Sequence, residues 1–186
     1  MTIPESTRRF AAAFALTLPL SAGASVSIDV EVSQVSGTTW HYDYFVSGAT
    51  FNAPPGAGPH GFTLFFDPVL YGVLSNASTL NSTWDLFVGQ PDAVFSFEGL
   101  FDALAASTPA GTDEPFGIDF EWLGAGVPTG VQPFESYTCN DDDCFGLTIT
   151  DSGNTSPVAM PLPGPLALIA AGIIGLGLQR TRRRQA

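Results

Sequence analysis

Lysine is absent from this chain of 186 residues, and its six arginines sit near the two ends: Arg8 and Arg9, then Arg180, Arg182, Arg183 and Arg184. From Ser25 to Ser156 there are seventeen aspartates and glutamates and no fixed positive charge. Carboxylates in that region must be solvated, hydrogen-bonded, protonated or cation-bound, because no lysine or arginine partner exists. Such a surface repels phosphates, which excludes nucleic acid as a partner. Cationic ligands and metal ions stay compatible with it. Cysteine is nearly as scarce: Cys139 and Cys144 are the only two. They are too widely spaced for a C-x-x-C redox motif, and His41 and His60 lack the spacing of zinc ligands. No G-x-S-x-G elbow or phosphate-cradling glycine loop occurs. Aromatics make up 12% of the chain, which favours a packed core over acidic disorder.

The ends read as addresses. Residues 1–24 carry Arg8 and Arg9, an apolar run "FAAAFALTLPL", and a small-residue exit with Ala22 and Ala24 at the −3 and −1 positions before Ser25. That layout predicts a secretory signal helix cut after Ala24, since the apolar run is too short to span roughly 30 Å of hydrocarbon. In an exported chain the cysteine pair in "CNDDDC" is expected to form a disulfide. Closing so short a loop is worth about 2 kcal/mol. At the other end, residues 157–186 hold a Pro-Gly knot, an apolar stretch that is proline-free from Leu166 to Leu178, and the arginine cluster. From Pro161 to Leu178 an ideal helix would span about 27 Å, just short of the bilayer core. Gly172, Gly175 and Gly177 weaken it, and Arg180, Arg182, Arg183 and Arg184 hold its far end in the cytoplasm. A short single-pass anchor is one reading of this segment, and a buried terminal element is another.

The order "MPLPGP", apolar helix, arginine run resembles the PEP-CTERM class of sorting signals, in the variant whose motif reads V-P-L-P-A. The resemblance implies an exosortase and the secretion machinery as partners, and processing around Pro161, Leu162, Pro163 and Gly164. It also implies transient membrane attachment through the Leu166–Leu178 helix, and a destination at the cell envelope, cell surface or extracellular matrix. Segments such as "GFTLFFDPVLYGVL" and "FEWLGAGVPTGVQPFESY" look similar to stretches recurring in one group of such exported proteins.

Between the ends, residues 25–156 are expected to form one domain. "SVSIDVEVSQV" alternates strictly, with Val26, Ile28, Val30 and Val32 on one face, and "TTWHYDYFVS" repeats the pattern with Trp40, Tyr42, Tyr44 and Val46. Further strands are predicted at 61–66, 83–88, 93–98, 116–123, 133–138 and 145–150, separated by Gly- and Pro-rich breaks. "LFDALAAS" (100–107) is the one helix candidate, and also reads as a strand end and loop. The expected fold class is all-β: a single antiparallel β-sandwich, jelly-roll-like, between a signal helix and a C-terminal apolar helix.

Two constellations could carry chemistry. "GIDFE" (117–121) resembles the E-I-D-F-E motif of family 16 glycoside hydrolases, with Asp119 matching the assisting residue and Glu121 the acid/base. Gly117 stands where the nucleophile belongs, and retaining hydrolysis needs two carboxylates about 5–5.5 Å apart. The acidic loop suits Ca²⁺ through Asp141, Asp142 and Asp143, although EF-hand spacing is missing and a solvated turn tip explains the same residues. No other cofactor is implied. Trp84 and Trp122 could stack on sugars or fill the core. Without a complete catalytic set, the expectation is a non-enzymatic structural or interaction protein, then a carbohydrate-binding module for extracellular polysaccharide, and last a glycoside hydrolase.

Overall fold

The computed structural model describes residues 25–141 and 144–158, and the predicted terminal helices lie outside them. Among the described residues there are ten strands and no helix: β1 (Ser27–Ser36), β2 (Thr39–Ser47), β3 (Gly61–Phe66), β4 (Tyr71–Thr79), β5 (Trp84–Gly89), β6 (Gly99–Ala105), β7 (Phe116–Trp122), β8 (Pro133–Cys139), β9 (Leu147–Asn154) and β10 (Ser156–Pro157). They form two five-stranded sheets, ordered β10-β1-β2-β7-β4 and β5-β6-β3-β8-β9. All pairings are antiparallel except the short parallel contact of β10 with β1. The hairpins β1–β2, β5–β6 and β8–β9 each stay within one sheet. The connections β2–β3, β3–β4, β4–β5, β6–β7, β7–β8 and β9–β10 each cross from one sheet to the other, which closes the two layers into the expected all-β sandwich.

The alternation of the first two strands is borne out residue by residue. Val26, Ile28, Val30, Val32, Trp40, Tyr42, Tyr44 and Val46 point into the core, while Ser27, Asp29, Glu31 and Ser33 face water. Opposite them the second sheet contributes Phe62, Leu64, Phe66, Phe101, Ala103 and Phe134. Edge-to-face rings lock the layers together. Phe62 of β3 meets Phe116 of β7 at 5.0 Å, and Phe66 meets Tyr71 of β4 at 5.1 Å, each such pair adding about 0.5–1.5 kcal/mol beyond its buried area.

Three expectations are corrected. The helix candidate at 100–107 is β6, a strand flanked by neighbours on both sides. Its pattern is inward at Phe101, Ala103 and Ala105 and half-covered at Leu100, Asp102 and Leu104, so period two was masked by apolar residues on both faces. The strand expected at 93–98 is a turn closed by Asp92 and Phe97. The Asp92 carboxylate caps the backbone of Val94 and Phe95, and Ser96 takes a φ of 56°. Finally, β4 had no counterpart among the predicted strands. Its register against β7 shifts twice and Asn76 sits at φ 53°, so its sequence never alternates cleanly.

Candidate functional site

On the outer face of the first sheet, His41 of β2 stands directly across from Asp119 of β7. Its Nδ1 lies 2.5 Å from Asp119 Oδ1 and its Nε2 lies 3.2 Å from Asp43. Asn76 of β4 donates to the other Asp119 oxygen at 2.6 Å. Partial burial alone would lower the imidazole pKa, but the hydrogen bonds and charges of Asp119 and Asp43 outweigh it, so His41 titrates above its ordinary range. Gly117 lies beneath this ring: a Cβ there would come within 3.0 Å of the His41 ring and of Ser78 Oγ. The position that a family 16 enzyme fills with its nucleophile is occupied here by an imidazole seat. Asp119 is tied up in the histidine clamp, and Glu121 points to solvent over Gly72.

The cysteines stand as expected. Cys139 and Cys144 are joined, with Cα atoms 4.6 Å apart, at the tip of the β8–β9 hairpin. Asp141 is exposed on this loop, accepting the Phe145 N–H on its carboxylate and the Cys144 N–H on its backbone oxygen. The other two members of the expected Ca²⁺ cluster, Asp142 and Asp143, lie outside the described residues, as do Ala24, Pro161, Leu162, Pro163, Gly164, Leu166, Leu178 and the terminal arginines. Among the described residues no group of three or more acids, histidines and cysteines is arranged to hold a metal ion. His60, lone in the sequence, is a buried structural residue. Its Nδ1 accepts the Cys139 N–H, so its Nε2 carries the proton donated to the Gly56 carbonyl.

The outer face of the second sheet was not anticipated. Asp102 of β6 accepts from Thr63 of β3 at 2.6 Å and from the Tyr137 phenol of β8 on both oxygens at 3.1 Å. Gly61 makes room for the phenol, since a Cβ there would fall 2.4 Å from the Tyr137 oxygen. Burial raises the Asp102 pKa and the donors only partly offset it, while burial and the Asp102 charge push Tyr137 well above its ordinary range. Beside this network opens a groove of about 620 Å³, lined by Phe65, Pro133, Glu135, Ser152, Asn154 and, from the β5–β6 turn, Glu98. Its size lies within the roughly 300–1,000 Å³ of small-ligand sites. It combines one half-buried ring with two carboxylates, an amide and a hydroxyl. The sequence signal for Asp102 was an acid inside an otherwise apolar run. The groove had none, because its walls come from four separate segments. Trp84 fills the core, its ring 5.1 Å from Phe116, and Trp122 packs on Tyr71 at 5.2 Å.

No family model matches this chain, and no curated protein matches it. Among solved structures it is similar to a cohesin module from the Clostridium perfringens ATCC13124 family 33 glycoside hydrolase, at 8% identity and a TM-score of 0.39, over 72% of this chain and 97% of that module.

Proposed function

We propose that this chain is an exported protein, sorted by an exosortase to the cell surface or extracellular matrix, where its sandwich has a structural or interaction role and no catalytic one. The observation that carries the reading is a self-closed, disulfide-bearing sandwich without a fixed cation, framed by two address-like segments. Its core runs from Val26 to Phe134 and its last strand pairs with its first. The disulfide adds support, since such bonds persist in oxidising compartments. Expression of the full chain in its host, with and without the exosortase, tests this by intact mass. The expected product starts after Ala24 and has lost the arginine cluster only where the enzyme is present. A product that runs through Ala186 in both strains would sink the sorting claim.

The groove favours a second reading, a carbohydrate-binding module. Phe65 offers an apolar face for a sugar ring while Glu98, Glu135 and Asn154 accept or donate to hydroxyls, the usual mix of a few polar groups in an apolar-floored site. Binding on a panel of neutral polysaccharides is expected to weaken about tenfold in Phe65→Ala. Absence of binding by the wild type, with calcium and with chelator, removes this reading.

A further inference from the structure

The carboxylate of Asp151 reaches across the sandwich to the very start of the described chain. Its Oδ2 accepts the Ser25 hydroxyl at 2.9 Å and the Val26 N–H at 2.7 Å, and its Oδ1 accepts its own neighbour's N–H, from Ser152, at 2.8 Å. Asp151 belongs to β9, the edge of the second sheet, while Ser25 leads into β1 of the first. The two residues are 126 apart in sequence, so the contact clasps one sheet to the other. A register shift aims Asp151: β9 pairs Asp151 with Ser136 and then Ile149 with Tyr137, which skips one residue on β9. The partner side is shaped as well. Gly48, at φ 86°, lies so close to the Ser25 carbonyl that a Cβ would sit 2.1 Å from its oxygen, so only glycine lets the chain start dock there.

We infer that Asp151 and Gly48 form a receptor for a chain that begins at Ser25, in which the Asp151 carboxylate takes the newly freed α-ammonium as its counterion. This rests on the export reading above, because it requires hydrolysis of the Ala24–Ser25 peptide bond. Water adds across that bond, leaving a carboxylate on Ala24 and an ammonium on Ser25. The backbone nitrogen of Ser25 is one Cα away from the groups Asp151 already holds, within about 5 Å of the carboxylate. In a domain with no lysine or arginine between Ser25 and Ser156, this terminus would supply a cationic group at neutral pH, since an α-ammonium ordinarily titrates at about 7.7–8.0. The hydrogen bonds from Ser25 and Val26 already hold the Asp151 pKa below the usual carboxylate range, the state an ammonium would reinforce.

The composition makes the test selective. Because the chain contains no lysine, the terminal amine of the processed protein is its sole primary amine, and mild acetylation blocks that group alone. The full chain is expressed with export, the product's first residue is read by intact mass, and thermal unfolding of the free and acetylated forms is compared in wild type and in Asp151→Asn. The expected result is a start at Ser25, a melting temperature about 2 °C lower after acetylation, and little further loss in Asp151→Asn. A product that keeps Met1 would show the export reading itself to be wrong. A cut at any other position, or a Ser25 start whose acetylation changes nothing or costs as much in Asp151→Asn, would overturn the receptor and leave export standing. Should Asp151→Asn fail to fold, the wild type decides alone: an acetylation effect that persists undiminished in about 1 M salt is not an exposed ion pair.

Discussion

The two sheets share one core and present different outer faces. The first sheet shows water Ser27, Asp29, Glu31, His41, Asp43 and Asp119, with Val35, Phe45 and Val73 exposed among them, and two of its carboxylates close a partly exposed clamp on His41. The second sheet keeps apolar side chains on the outside too: Phe65, Leu100 and Leu104 are half-buried, Phe87 is exposed, and Tyr137 is 4% exposed above Gly61. Within that apolar setting it buries a hydrogen-bonded carboxylate, Asp102, beside a groove. A solvated polar face needs no partner, whereas an acid under apolar cover needs donors. The second sheet therefore sets its covered acid beside a groove, and the first leaves its acids open to water.

The largest effect should fall on the core that both sheets share. Phe62 is fully buried, with the rings of Phe116, Trp84 and Phe51 at 5.0, 5.7 and 6.0 Å. Phe62→Ala should cost about 3–5 kcal/mol in denaturant unfolding, and a loss below 1 kcal/mol would mean the sheets do not depend on this layer. An intermediate effect is expected at Tyr137→Phe, which removes a phenol donor shared by both Asp102 oxygens and should cost about 1–3 kcal/mol at neutral pH. The sign follows from the raised Asp102 pKa. Folding favours the protonated acid, so the contribution of this group is fully present below pH 3.8 and is lost as pH rises through the folded value. The Tyr137→Phe penalty should accordingly shrink in acid, and a pH-independent penalty would place the loss in packing instead.

The smallest effect belongs to the first sheet. Asp119→Asn should cost no more than about 1 kcal/mol, because the His41 pair is partly solvated. A histidine whose folded pKa lies above 6.5 contributes stability that is fully present below 6.5 and lost as pH rises through the folded value. Unfolding curves for wild type and Asp119→Asn should therefore converge as pH is raised through that window. If Asp119→Asn instead cost more than Tyr137→Phe at neutral pH, the contrast between a solvated and a covered face would be reversed.

Legibility followed the same divide. β1 and β2 could be read to the residue because one face is dry and the other wet, so period two survives in the sequence. β6 could not, since both of its faces are at least half-covered and "LFDALA" then fits a helix as well as a strand. β4 was lost to two register shifts, and the 93–98 turn was mistaken for a strand because its exposed Phe95 and Phe97 imitate alternation; their rings stack on each other, 6.2 Å apart, in solvent. Local pattern by itself determined the all-β class, the cysteine pair and an acidic surface without internal cations, because each follows from residue type and near spacing. Only the tertiary structure decided that Gly117 seats an imidazole, that Asp102 is held by Thr63 and Tyr137, and that Asp151 meets Ser25. Each of these joins residues tens of positions apart, and their contact depends on which strands become neighbours and in what register.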